Sequence, residues 1–72
     1  LQVIELATSE IQLWKGNHTT LTPIYYRRAT AYERLARLEE ARTDYEMVMA
    51  LQPGAQVGRE AAIRLRVIAA DN

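Results

Sequence analysis

Apolar residues recur along this chain with the period of an α-helix. Ile4, Ala7, Ile11 and Trp14 stand at i, i+3, i+7 and i+10, with Val3, Leu6 and Leu13 beside them. This spacing places them on one broad stripe of an amphipathic helix. Gly16 and Asn17 are expected to close it, because both tolerate the left-handed conformation that ends helices. The polar stretch His18 to Thr20 reads as a loop. Thr22-Pro23 then predicts the start of a second helix. Thr22 can cap free N–H groups, and proline fits the first helical position, where its missing N–H costs nothing. Tyr25, Ala29, Tyr32 and Leu35 carry the apolar face of that helix, and the phase changes around Ala36 and Arg37. A third helix presents Leu38, Ala41, Tyr45, Val48 and Met49 on one side and Glu39, Arg42 and Glu46 on the other. Gln52-Pro53-Gly54 ends it. A fourth runs from about Val57 to Ala69, with Ala61, Leu65 and Ile68 inward, Ala62 and Val67 flanking, and Glu60–Arg64 as an i,i+4 pair. No strand pattern appears. Short connections between helices predict an all-α array of helical hairpins with about four helices.

The segment Thr22 to Ala55 has the length and spacing of a helix–turn–helix repeat of about 34 residues. Tyr25 and Tyr32 take its first aromatic positions. Ala29 and Ala41 take the small positions that let paired helices close. Tyr45 is the aromatic one turn after Ala41, Val48 the small-to-medium residue beyond it, and Pro53 the terminator. On these residues the chain resembles the tetratricopeptide repeat family, with Arg28 where Leu is usual and Ala36 where Gly is usual. The resemblance implies an α-solenoid fragment. Residues 1–15 are then the second helix of a preceding repeat, 22–55 a complete repeat and 57–70 a C-terminal capping helix. Arg27-Arg28-Ala29, Tyr32-Glu33, Leu38-Glu39-Glu40-Ala41, Asp44-Tyr45 and Pro53 further resemble the last repeat of Hsp70/Hsp90 co-chaperones.

That resemblance implies a protein-interaction module that clamps the acidic C-terminal tail of Hsp90 or Hsp70 with cationic side chains. Charge-assisted hydrogen bonds to carboxylates suit such a task. The last repeat of these domains normally offers a Lys and, four residues later, an Arg. Arg27 matches the Arg, whereas Pro23 stands at the Lys position, so half of the local clamp is missing. Tyr26, Thr30, Glu33 and Arg34 fall at the other groove-facing positions. For Arg28 the expectation is a surface arginine with its stem packed on apolar neighbours.

The chain has 72 residues, nine Lys+Arg against nine Asp+Glu, 49% hydrophobic and 25% charged residues, and no cysteine. The composition is that of an ordinary folded domain. The absence of cysteine excludes disulfides and thiolate–zinc sites and leans toward a cytoplasmic setting. Zero net charge disfavours a nucleic-acid partner, which calls for a basic surface. No apolar run approaches a membrane span. A first residue of Leu rather than Met reads as a piece of a longer chain. His18 is the single histidine, with no metal-ligating neighbours and only Thr19 and Thr20 as local hydroxyls, so neither a metal site nor a catalytic triad is expected. Glu39, Glu40 and Asp44 read as a solvated acidic face beside Arg37 and Arg42. Met47 and Met49 read as core fillers. No cofactor and no enzymatic activity are expected. An end helix with one neighbour, bearing Leu6, Ile11 and Trp14, predicts self-association. The alternative to peptide binding is a structural cap or oligomerisation segment.

Overall fold

The computed structural model describes residues 2–71. Four helices follow one another: α1 (Gln2–Leu13), α2 (His18–Arg34), α3 (Leu38–Leu51) and α4 (Gln56–Asp71). No strand occurs among the described residues. The expected all-α architecture is therefore observed. Leu1, the first residue of the segment assigned to a preceding repeat, lies outside the described residues.

The start of α2 differs from the sequence expectation. Residues His18 to Thr20 are helical, and the cap is Asn17 rather than Thr22. Asn17 is extended (φ −99°, ψ 91°), and its side-chain oxygen accepts the Thr20 N–H at 3.1 Å. That bond satisfies a donor that the helix itself cannot. Thr22 is buried inside the helix and its hydroxyl donates to the His18 carbonyl at 2.7 Å. Pro23 sits in the second turn on an exposed face, where it brings no N–H to the carbonyl one turn back. Gly16, with φ 90°, alone provides the left-handed residue that closes α1.

The turn from α2 to α3 is tight. Ala36 N–H donates to Glu33 O at 3.0 Å and Arg37 N–H to Tyr32 O at 2.9 Å. This pair of bonds is the Schellman pattern, which puts its C′ residue in the left-handed region. That residue is Ala36, at φ 60°. The position where the repeat pattern prefers glycine thus has the conformation glycine would favour, held here by an alanine at a cost of about 1–2 kcal/mol. At the next junction Gly58 is buried, and a Cβ there would lie 2.5 Å from the Gln52 carbonyl oxygen. The first turn of α4 can approach the end of α3 this closely because no side chain intervenes.

Each helix packs on the next, and α2 also touches α4. The Cα trace measures 33 × 29 × 14 Å, the thickness of two helix layers. Ala29, Ala41, Tyr45, Val48, Ala61 and Ile68 form the core shared by α2, α3 and α4. Ala29 and Ala41 are wholly buried, as the closure of two helices requires. Helix α1 packs on α2, and Ile4 and Ala7 of α1 are buried, as are Leu21 and Ile24 of α2.

Several apolar positions are less buried than their spacing predicts. Trp14 is 43% exposed and Leu13 75%, and Leu6, Leu35 and Val67 also face water. The reason for Leu6, Leu13 and Trp14 is that α1 contacts α2 alone. One neighbour covers a narrow stripe, and the width of the apolar band exceeds it. Among the described residues no helix is long and apolar enough to cross a membrane.

Candidate functional site

Helix α2 carries Tyr26, Arg27, Thr30, Ala31 and Arg34 at helical spacing, so they share one face, and its C-cap residue Leu35 follows directly. With Val3 from α1 these residues line a hollow of about 500 Å³. A second hollow of about 240 Å³ adjoins it, lined by Tyr26, Thr30, Glu33, Arg34, Tyr45 and Arg64. The five residues singled out from sequence, Tyr26, Arg27, Thr30, Glu33 and Arg34, are therefore brought together as the floor of one groove. Its walls come from α1 and α4.

The groove side chains are held unequally. The Tyr26 ring meets Tyr45 edge-on, with centroids 5.6 Å apart and planes at 66°. Thr30 Oγ1 donates to the Tyr26 carbonyl at 3.0 Å and lies 3.3 Å from Tyr45 Oη. Arg27 Nη2 donates to Glu10 Oε1 at 2.7 Å, a half-exposed pair between α2 and α1. Arg34 is exposed and takes part in no ion pair among the described residues. The resemblance made Arg27 the free clamp cation, whereas an internal carboxylate occupies it.

Glu33 is the knot between helices. It accepts the Tyr45 O–H at 2.8 Å, Arg64 Nε at 3.2 Å and Arg64 Nη2. Arg64 thus pairs with Glu33 rather than with Glu60, as helix spacing alone predicted, because α4 turns that face onto α2. The Arg64 hydrogen bonds hold the Glu33 carboxyl below its ordinary value of 4.5, against the opposing effect of burial, with the Tyr45 O–H adding to the lowering. The Tyr45 hydroxyl is pushed up to about 12, first by burial and further by the Glu33 carboxylate, so it remains a neutral donor at physiological pH.

A pH dependence follows with a definite sign. A carboxyl lowered by folding contributes stability above its unfolded value and loses it as the pH falls through its folded value. Melting temperatures of the wild type and Glu33→Gln, measured from pH 6 to pH 3, are expected to differ most at pH 6 and to converge at low pH. A gap that stays constant across that range would show that the Glu33–Arg64 link contributes nothing specific to the ionised state.

Two residues given bland roles from sequence turn out to be structural. Arg28 Nε and Nη2 donate to the two oxygens of Asp44 at 2.7 and 2.9 Å, and Nη1 donates to Thr8 Oγ1 at 3.0 Å. Its guanidinium also lies 5.5 Å from the Tyr25 ring centre and 5.8 Å from that of Tyr32. The Asp44 side chain is only 3% exposed, against 19% for Arg28. Arg28 is therefore not a surface arginine, and Asp44 does not belong to the solvated face of Glu39 and Glu40. The signal available in the sequence was an arginine one residue before the small Ala29, on the helix that packs against α3: a buried cation there requires a carboxylate beside it.

Among the described residues no group of three or more His, Cys, Asp or Glu side chains converges to hold a metal ion. No protein-family model matches the chain, and neither does any curated protein or solved structure.

Proposed function

We propose that this chain is a non-catalytic peptide-binding module, the C-terminal part of a tetratricopeptide repeat domain in a cytoplasmic, chaperone-associated adaptor. Its groove would take an acidic C-terminal peptide of the Hsp90 or Hsp70 kind. The observation that carries the reading is the α2 floor, where Arg27 and Arg34 stand beside the apolar surfaces of Val3, Ala31, Leu35 and Tyr26. A cationic groove with an apolar lining suits a peptide that alternates carboxylates with hydrophobic side chains. The Schellman turn at Ala36 and the buried Ala29 and Ala41 agree with the repeat assignment. The run Arg59-Glu60-Ala61 and Arg64-Leu65 after the repeat is also similar to that of tetratricopeptide repeat protein 1.

Pro23 cannot supply a second cation, and Glu10 competes for Arg27, so binding is expected to be weak. Calorimetric titration with an Hsp90-type C-terminal peptide should give a dissociation constant of roughly 10–1,000 μM, or about −7 to −4 kcal/mol. Affinity should fall as salt rises, because the charges lie in a half-exposed groove. Replacing the peptide's acidic residues and terminal carboxylate with amides should abolish it. Equal binding of both peptides, or none at millimolar concentrations, would reject the reading.

The exposed Leu6 and Leu13 of α1 and Trp14 just beyond it favour a second reading, a cap or association surface without peptide binding. Concentration-dependent sedimentation together with failure of the titration would put that reading in first place.

A further inference from the structure

We propose that Arg34, rather than Arg27, is the cation that anchors an acidic ligand in the groove, and that Glu10 is a built-in competitor holding Arg27 out of use. The proposal rests on the peptide-binding reading above and assigns the charges within it. The ligand class is an extended peptide presenting one carboxylate next to a bulky apolar side chain.

Three guanidiniums line the two hollows: Arg27, Arg34 and Arg64. Arg64 is bound by Glu33, and Arg27 by Glu10 at 2.7 Å. A ligand carboxylate arriving at Arg27 must displace a carboxylate already there, so one charge-assisted bond is exchanged for another with little gain. At Arg34 no bond to a carboxylate among the described residues has to break. Arg34 also lines both hollows, so a carboxylate bound to it lies beside Thr30 and the Tyr26 ring. The apolar surfaces of Val3, Ala31 and Leu35 flank the same place and would receive the neighbouring hydrophobic side chain.

The spacing makes the competitor testable on its own. Arg27 and Arg34 are seven residues apart on α2, which is about 10 Å along the axis at 1.5 Å per residue. An extended peptide covers that span in about three residues. A ligand with acidic residues at n and n+3 therefore matches both arginines, and it gains from the second only when Glu10 is neutralised.

The probes are three eight-residue peptides, blocked at both ends and differing in one core segment: Gln-Gln-Leu-Glu, Glu-Gln-Leu-Glu and Gln-Gln-Leu-Gln. Each is titrated into the full chain and followed by backbone amide shifts, with circular dichroism confirming the fold of every variant. For the single-carboxylate peptide, Arg34→Ala is expected to weaken binding about five- to tenfold, the value of one partly exposed charge-assisted bond. Arg34→Lys should retain part of the affinity, and Arg27→Ala should change it less than about twofold. Glu10→Gln should leave the single-carboxylate peptide unchanged and tighten the two-carboxylate peptide about threefold or more.

An Arg34→Ala variant that binds like wild type overturns the proposal, as does a larger loss from Arg27→Ala than from Arg34→Ala. A Glu10→Gln variant with no gain for the two-carboxylate peptide removes the competitor role and overturns the proposal as stated. These results leave peptide binding itself standing. Failure of the wild type to bind any of the three peptides or the Hsp90-type peptide overturns the peptide-binding reading and this assignment with it.

Discussion

Replacing Asp44 with alanine is expected to remove about 3 kcal/mol of stability, the toll of leaving one member of a buried ion pair without its partner. A chain of this length has roughly 4–11 kcal/mol in total, so the loss takes away between about a quarter and three quarters of it. Asp44 accepts both Arg28 donors at 2.7 and 2.9 Å and is almost fully covered. Without it the guanidinium keeps only Thr8 and the faces of Tyr25 and Tyr32. A guanidinium stays protonated throughout the physiological pH range whatever its neighbours, so Arg28 cannot shed its charge to escape.

The double variant Arg28→Leu/Asp44→Ala is expected to recover at least half of that loss. It removes the stranded charge and fills the place with an apolar side chain, and apolar replacements of buried pairs are often neutral. Urea unfolding of the wild type, both single variants and the double would measure the coupling. An Asp44→Ala loss under about 0.5 kcal/mol would place the pair with ordinary surface salt bridges.

Periodicity was sufficient to find four helices, because apolar spacing is imposed by which face meets the core. The turn at 35–37 was readable from the change of apolar phase and the stop at Pro53 from proline's missing N–H, whereas the left-handed φ of Ala36 was not, since alanine does not signal it. The start of α2 was not. Thr22-Pro23 and Asn17 both carry start signals, and the choice depends on a hydrogen bond to Thr20 that only the folded turn reveals. The groove was legible as a face, and Tyr26, Arg27, Thr30, Glu33 and Arg34 do share it. Charge pairing was not. Glu10 reaches Arg27 from 17 positions away, and Arg64 reaches Glu33 from 31. Local i,i+4 rules miss such partners, as they did in pairing Arg64 with Glu60.

The other large effect is expected at Tyr45. Truncation to alanine should cost about 3–5 kcal/mol, the usual loss for an aromatic side chain deleted from a core. Its side chain is among the largest that are fully buried, and Val48 and Ala61 belong to the same cluster. The ring also supports Tyr26 edge-on, and the hydroxyl holds Glu33. Tyr45→Phe separates these contributions. It keeps the ring and removes the hydroxyl's bond to Glu33 and its longer contact with Thr30 Oγ1, while Glu33 retains both Arg64 donors. A loss of about 1 kcal/mol is expected, so the gap between the two variants measures the ring. Hydrogen exchange adds a spatial readout. Because Glu33, Tyr45 and Arg64 tie α2, α3 and α4 together, Tyr45→Ala should lower protection in α4 more than in α1, which contacts α2 alone. Equal loss of protection in all four helices would mean that the chain opens as one cooperative unit, with no separate role for this knot. Tyr45 also lines the second hollow, so the floor of the groove is the outer edge of the core. A Tyr45→Phe variant that folds well should still bind acidic peptides, since Arg34 lies outside the bonds it loses.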